Sequence, residues 1–256
     1  MTDAILRITG LCKRFGGLKV TSDLCLDIRR NEFHALIGPN GAGKTTLIHQ
    51  LHGILGSDEG SIHFEGQPIT REPVHKRALL GIARSFQISS VVMDFTALEN
   101  VALAVQANQG HSFRFWRCAA TDESLCGPAR EALALAGLDA RAHTTAAELS
   151  HGERRQLEIA IALAMRPKLL LLDEPMAGMG HNESRKLVDL LLRLKGRYTI
   201  VMVEHDMEAV FSLADRLTVL VAGRVIATGA PADIRSDPAV QAAYLGHTQP
   251  EVAHAA

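Results

Sequence analysis

The chain lacks the features that mark membrane-spanning, secreted and zinc-binding proteins. Its longest apolar runs, Ile159 to Met165 and Leu169 to Leu172, fall well short of the ~18 residues that a membrane-spanning helix needs. Its four cysteines include no Cys-x-x-Cys pair, which disfavours a zinc site or a disulfide framework. Thr2-Asp3 places an acid where a signal peptide has a basic region. We therefore expect a protein of a reducing compartment that is soluble or reaches a membrane through a partner.

Excess positive charge is also absent. The 256 residues include 27 Lys and Arg against 28 Asp and Glu, a formal net charge of −1, and no basic stripe is visible. Proteins that bind nucleic acid cluster Lys and Arg at their phosphate contacts, so we expect no nucleic-acid partner. Because 47% of the residues are hydrophobic, the chain can bury the core of one large α/β domain.

One stretch does carry a specific chemistry. Residues 38–45 match G-x-x-x-x-G-K-[ST], the phosphate-binding loop. Its glycines let successive backbone N–H groups point into one concavity, and the helix that follows adds the positive end of its dipole. Lys44 can reach the β- and γ-phosphates, and the Thr45 hydroxyl can ligate Mg²⁺. We expect a nucleotide to be bound by Gly38, Pro39, Asn40, Gly41, Ala42, Gly43, Lys44, Thr45 and Thr46.

An acidic pair follows a second apolar run. Leu169 to Asp173 reads as a central parallel strand, and Glu174 follows at once. A carboxylate at a strand end suits Mg²⁺, so Asp173 is a candidate metal ligand. Glu174 could polarise the attacking water. Two acids can also simply cap a helix, but downstream of a phosphate loop we favour the catalytic interpretation.

Hydrophobic periodicity and turn residues predict an α/β chain. Residues 5–11 and 20–28 read as an antiparallel pair of strands, and Thr96 with Glu99 forms a capping box before a helix. We predict a helical subdomain at 88–148, inserted into a core at 1–87 and 149–246, with a loose tail at 247–256. Further predicted elements are helices at 44–55, 72–80, 128–138, 150–165, 183–194, 206–213 and 231–245, and a hairpin at 216–229.

Leu149-Ser150-His151-Gly152-Glu153 resembles the Leu-Ser-Gly-Gly-Gln signature of the ATP-binding-cassette family. The phosphate loop, Gln87, Asp173-Glu174 and His205 follow that family's order, and the resemblance extends from Ile5 to about Gly246. It implies a P-loop NTPase core with a mixed central sheet, an N-terminal antiparallel β subdomain and an inserted helical subdomain. It also implies an ATPase that uses ATP and Mg²⁺.

The resemblance further implies roles for single residues. Two cassettes of the family pack head to tail, so that Ser150 and Gly152 would cap the nucleotide held by the other subunit. Gln87 would contact Mg²⁺ or the water, and His205 would contact the γ-phosphate. Ordinary alternatives stay open, namely a polar residue at a strand end for Gln87 and a helix cap for His205. Phe15 stands where the family stacks an aromatic ring on adenine, although a half-buried core phenylalanine is an equal alternative.

The sequence departs from the family pattern at the junction between subunits. His151 replaces the first signature glycine, and Glu153 replaces the glutamine. Gly180 stands where the family often has an aspartate, which removes one polar contact between the two subunits. An acid at a helix N-terminus suits the helix dipole, so we keep the assignment of the signature.

Four segments narrow the resemblance to one subfamily: 81–87, the interrupted segment at 106–127, Ala177-Gly178-Met179 and Ala243 to Gly246. They resemble the ATPase of importers for branched-chain and other hydrophobic amino acids. This implies a location on the cytoplasmic face of the plasma membrane, with permease subunits, a second ATPase subunit and, indirectly, a periplasmic binding protein as partners. Importers of urea or short amides, lipopolysaccharide exporters and non-transport cassette proteins are the alternatives. Aromatics at 113, 115 and 116 mark either a partner contact or a small satellite core.

Overall fold

The computed structural model describes residues 4–85, 91–110 and 122–245. Within these ranges the strands are β1 (Ala4–Phe15), β2 (Leu18–Arg29), β3 (Phe33–Ile37), β4 (Glu59–Phe64), β5 (Gln67–Pro68), β6 (Ile82–Arg84), β7 (Leu169–Asp173), β8 (Thr199–Val203), β9 (Arg216–Val221) and β10 (Arg224–Gly229). The α-helices are α1 (Lys44–His52), α2 (Val74–Leu80), α3 (Ala97–Gln109), α4 (Glu123–Ala136), α5 (His151–Ala164), α6 (His181–Leu194), α7 (Met207–Leu213), α8 (Pro231–Ser236) and α9 (Pro238–Leu245).

The central sheet is mixed, as the sequence predicts. Its strand order is β10-β9-β3-β8-β7-β6, in which every pair is parallel except the terminal β9–β10 hairpin. Strands β3, β7 and β8 are buried at every position, because both faces of the sheet are covered. Since the carboxyl ends of parallel strands share one edge of a sheet, the loops after these three strands meet there.

The two faces of the central sheet belong to two hydrophobic cores. Along β7, Leu170 and Leu172 point into a core shared with helices α3 to α7, whereas Leu169 and Leu171 point into the other core. This second core lies under an antiparallel sheet of order β2-β1-β4-β5 and includes Leu47 of α1. The alternation follows from the period of two along a strand. The N-terminal antiparallel sheet is therefore confirmed.

Helices α3, α4 and α5 pack against one another beside the central sheet. The predicted capping box opens α3: the Thr96 hydroxyl accepts from the Glu99 N–H, and the Glu99 carboxylate accepts from the Thr96 N–H. α3 and α4 lie between β6 and β7 in the chain, in the segment that the sequence assigns to an inserted helical subdomain. Among the described residues, no helix is both long and apolar enough to cross a membrane.

Two predicted helix boundaries are wrong. α1 ends at His52 and not near residue 55, because Gly53 adopts a left-handed φ of 90°. α4 begins at Glu123, before Pro128, since Asp122 caps it. Pro128 is tolerated inside the helix, where the Ser124 carbonyl accepts from the Gln109 side chain.

The helix predicted for 231–245 is two helices. Asp237 lies between α8 and α9 with an extended backbone. A residue that precedes a proline is disfavoured in the helical region, and Pro238 follows directly. The Asp237 carboxylate then accepts from the backbone N–H groups of Ala239 and Val240 at the start of α9.

Candidate nucleotide-binding site

A cavity of about 280 Å³ opens where the loops after β3, β7 and β8 meet. The phosphate loop forms one wall, and the side chains that follow the neighbouring strands complete it. Its lining residues are Val20, Asn40, Gly41, Ala42, Gly43, Lys44, Thr45, Thr46, Glu174 and His205. The chain thus brings the predicted phosphate loop together with two of the three predicted catalytic residues.

Two glycines of the loop are required by close approach of other strands. A Cβ on Gly38 would lie 2.1 Å from the Leu220 carbonyl oxygen, and one on Gly43 would lie 2.6 Å from the Val20 carbonyl oxygen. Gly43 also has a φ of +99°, which side-chain-bearing residues rarely adopt. Any larger residue would therefore displace the loop from the strands that hold it.

Lys44 is buried, and its ammonium lies within the loop. Nζ donates to the Gly38 carbonyl at 2.7 Å and to the Pro39 carbonyl at 3.0 Å. Burial lowers the pKa of Lys44, and the negative charges of Glu174 and Asp173 oppose that effect. Because both acceptors are neutral carbonyls, the ammonium is well placed to exchange them for anionic phosphate oxygens.

Asp173 ends β7 as a fully buried carboxylate held on one side only. Its Oδ2 accepts from Arg84 Nη2 at 2.9 Å. Its Oδ1 is buried and has no hydrogen-bond partner among the described residues. Burial raises the pKa of Asp173, while the positive charge of Arg84 acts against the rise. A buried carboxylate oxygen with free acceptor capacity fits the oxygen ligands that Mg²⁺ prefers.

Sequence reasoning missed Arg84. It lies on β6 and its side chain is 3% exposed. A guanidinium in a three-residue strand that is buried throughout requires a buried acid as partner, because an unpaired buried charge is very costly. An arginine directly after Ile82 and Ala83 was the one signal in the sequence, but the identity of the acid depends on the pairing of β6 with β7.

Glu174 and His205 contact each other across the edge of the sheet. The Glu174 Oε1 lies 2.8 Å from His205 Nε2. Glu174 has a φ of +47°, which is strained for a residue with a side chain, and its N–H donates to the Val203 carbonyl at 2.8 Å. The helix cap that was the alternative for His205 is supplied by Asp206, whose carboxylate accepts from two N–H groups of α7.

The signature segment forms the start of α5. The Ser150 hydroxyl accepts from the Glu153 N–H at 3.2 Å, and the Glu153 carboxylate accepts from the Ser150 N–H at 2.9 Å. Glutamate and glutamine serve this capping box equally, which explains why Glu153 can stand in place of the family's glutamine. Ser150 and Gly152 are not among the residues that line the cavity of their own chain.

Gly152 donates its N–H to the Oε1 of Glu183 in α6 at 3.2 Å. The family resemblance implies that this N–H faces a phosphate, and the sequence pattern did not single out Glu183 as its partner. The other carboxylate oxygen of Glu183 accepts from the Gly180 N–H at 3.4 Å, and His151 Nε2 lies 3.5 Å from the Ala177 carbonyl. Two of the three departures from the family pattern, His151 and Gly180, therefore lie in segments that touch within one chain.

Phe15 ends β1 outside both hydrophobic cores. Its side chain is 50% exposed, which disfavours the core alternative and leaves the ring free to stack on a flat ligand. The Lys13 ammonium lies 5.7 Å from the ring centroid. Gln87, which sequence reasoning assigned to catalysis and to the metal, lies outside the described residues, as do Phe113, Phe115 and Trp116.

Comparison with known proteins decides the family. A family model described as ABC transporter matches residues 21–177, which span the phosphate loop, the signature segment and the acidic pair. The chain belongs to the ATP-binding-cassette transporter family. A second model, described as branched-chain amino acid ATP-binding cassette transporter, matches residues 224–249. The cassette is therefore an ATP-binding, ATP-hydrolysing component of a transporter, which also has membrane components.

Relatives match the cassette over nearly its whole length. The high-affinity branched-chain amino acid transport ATP-binding protein BraF of Pseudomonas aeruginosa is 35% identical, over 96% of this chain and 99% of the relative. The corresponding protein LivG of Escherichia coli K12 is also 35% identical, with the same coverage. Among solved structures, an ATP-binding cassette of an ABC transporter in its ADP conformation has a TM-score of 0.84 and 30% identity, over 96% of this chain and 100% of that one.

Proposed function

We propose that this cassette hydrolyses ATP to drive import of branched-chain or other hydrophobic amino acids through a membrane permease. The observation that carries the proposal is the convergence of Lys44, Glu174 and His205 on one cavity at the carboxyl edge of the central sheet. Its size and its fixed N–H groups suit the phosphates of a nucleotide. Phe15 supplies an exposed ring for the adenine.

The chemistry at the phosphates divides among the residues as follows. Lys44 transfers its hydrogen bonds from the loop carbonyls to the β- and γ-phosphates. Glu174 accepts a proton from the attacking water, and His205 holds both the Glu174 carboxylate and the γ-phosphate. Asp173, Thr45 and Gln87 hold Mg²⁺, which supplies positive charge against the phosphates when bound.

A complete site requires a second cassette. Ser150 and Gly152 lie away from the cavity of their own chain, yet the start of α5 offers the donors that a γ-phosphate needs. In our proposal two subunits pack head to tail, so that each α5 caps the nucleotide of its neighbour. ATP binding closes the pair and hydrolysis reopens it.

The helical part offers a docking surface for the permease. A groove of about 400 Å³ runs along α3 and α4, and it is rimmed by the exposed side chains of Phe95 and Leu103. Its lining is Phe95, Thr96, Leu98, Glu99, Ala102, Leu103, Gln106, Leu125, Cys126 and His143. An apolar groove of this kind accepts an amphipathic helix. We assign residues 88–148 to the subdomain that receives the permease at the cytoplasmic face of the membrane.

The nature of the cargo is inferred from relatives. Proteins named for branched-chain amino acid transport match 96% of the chain, and the family model that matches residues 224–249 has a similar description. The test is to co-purify the cassette with its permease subunits and the periplasmic binding protein, and to measure ATP-dependent uptake of leucine, urea and acetamide. Uptake of leucine supports the proposal, whereas uptake of urea or acetamide alone contradicts it.

A matched variant links uptake to the groove. Leu103→Glu places a charge on the exposed rim of the groove, whereas Leu192→Glu places one on α6, where Leu192 is similarly exposed. We expect Leu103→Glu to lose both co-purification and uptake, while Leu192→Glu keeps them. Equal loss in the two variants would show that the groove is not the docking surface.

A further inference from the structure

Glu204 is a buried carboxylate that the mechanism above does not use. It follows β8 directly, next to His205, and is 4% exposed. Burying a carboxylate is costly unless donors surround it. The hydrogen bonds that its carboxylate accepts therefore indicate the role of an acid at this position.

The Glu204 carboxylate accepts hydrogen bonds from backbone N–H groups of two different loops. Oε2 accepts from the His205 N–H at 2.7 Å and, more weakly, from the Asp206 N–H at 3.5 Å. Oε1 accepts from the Met176 N–H at 3.0 Å. One oxygen thus serves the loop that carries His205, and the other serves the loop that carries Glu174.

Glu174 is held from both sides by this arrangement. Its own N–H donates to the Val203 carbonyl at 2.8 Å, and two residues later Met176 donates to Glu204. The strained φ of Glu174 persists only if its surroundings enforce it. The two anchors, Val203 and Glu204, are consecutive residues at the end of β8.

We propose that Glu204 is a positioning residue that fixes the Glu174 carboxylate and the His205 imidazole at their contact distance of 2.8 Å. The inference rests on the proposed ATP hydrolysis at this site. Only an acid suits the role, because the carboxylate presents two acceptor oxygens to two loops. A glutamine offers one oxygen and an NH₂ group, and that NH₂ would face a backbone N–H donor. Glu204→Gln therefore releases one of the two loops.

The test compares ATP binding with turnover in the assembled transporter. We expect Glu204→Gln to lower kcat by roughly 10- to 100-fold, the scale of an ångström of misplacement, and to leave the Kd for ATP within about twofold, since the phosphate loop and Lys44 keep their contacts with the nucleotide. Glu208→Gln is the matched control, because it makes the same chemical change at an exposed position of α7 and should keep the parent kcat. Rates are measured below the Tm of every variant, so that unfolding does not contribute.

A double-mutant cycle with His205→Ala separates positioning from general damage. If Glu204 acts by holding the Glu174–His205 pair, adding Glu204→Gln to His205→Ala should lower kcat by less than about threefold, because the pair is already broken. A parent-like kcat in Glu204→Gln, or a full multiplicative loss in the double variant, would overturn the inference while leaving the proposed function intact. Absence of ATP hydrolysis in the parent complex would overturn both.

Discussion

The Gly152 N–H donates to the Glu183 carboxylate of the same chain at 3.2 Å. The glycine is needed for this approach, because a Cβ at residue 152 would lie 2.9 Å from the Glu183 Oε1. Glu183 thereby places negative charge at the N-terminus of α5, where the helix dipole favours it. In the proposed dimer the γ-phosphate of the neighbouring subunit needs the same N–H, so the carboxylate and the phosphate compete.

Removing the charge of Glu183 should therefore favour closure of the dimer. We expect Glu183→Gln to lower the ATP concentration needed for dimerisation by about 2- to 5-fold, the value of one charge at a helix N-terminus. Dimer formation is followed by analytical ultracentrifugation in a Glu174→Gln background, where ATP persists. Asp189→Asn removes an exposed charge from α6 and should leave the midpoint unchanged. A midpoint that rises in Glu183→Gln would mean that the contact supports closure.

A bulky residue at Ser150 should separate ATP binding from cooperative turnover. Ser150→Phe obstructs the start of α5, where the neighbour's nucleotide would be capped, but it lies outside the cavity that holds the chain's own ATP. We expect the Kd for ATP to stay near the parent value and the Hill coefficient of hydrolysis to fall to about 1. The substitution also removes an N-cap, which costs about 1 kcal/mol.

Asp122→Ala is the control for the lost N-cap. It removes the N-cap of α4 and should keep cooperative hydrolysis. If Ser150→Phe kept a Hill coefficient like that of the parent, hydrolysis would not need the α5 of a second subunit.

His52 should make the fold sensitive to acid. Burial, reinforced by the positive charges of Arg84 and Arg77, lowers the pKa of His52 from its usual 6.5 to about 4. The folded state thus disfavours the protonated ring, so this contribution to stability is fully present above pH 6.5 and is lost as the pH falls towards 4. Near pH 4.5 the loss is about 2–3 kcal/mol.

The acid effect is measured by urea unfolding of parent and His52→Gln at pH 7 and pH 4.5. We expect the free energy of unfolding to fall less steeply with acid in the variant. His75→Gln, at an exposed position of α2, should fall as steeply as the parent. Parallel falls in parent and His52→Gln would show that His52 does not carry the effect.

Short sequence patterns correctly predicted the structural elements whose geometry depends on residues close together in the chain. The phosphate loop was predictable because its glycine spacing fixes backbone geometry, and the capping box of Thr96 and Glu99 because both residues lie in one turn. The start of α4 was not predictable, because the Gln109 side chain of α3 donates to the Ser124 carbonyl that Pro128 leaves without its helical partner.

The hydrogen bonds and ion pairs inside the site could not be predicted from the sequence for a similar reason. Arg84 and Asp173 lie 89 residues apart, Glu204 and Met176 lie 28 apart, and Gly152 and Glu183 lie 31 apart. Each pair forms only once the strand order and the helix packing are set. A single sequence can suggest that a polar residue needs a hydrogen-bonding partner, but which residue becomes that partner depends on the folded structure.

The most direct test of the account is the rate of ATP hydrolysis by Glu174→Gln in the assembled transporter, measured together with its Kd for ATP. If Glu174 is the general base, ATP binding should stay within about twofold of the parent, while kcat should fall by roughly 10²–10⁴-fold. Asp189→Asn serves as the exposed acid-to-amide control and should hydrolyse at the parent rate. Near-parent turnover in Glu174→Gln would contradict the proposed site.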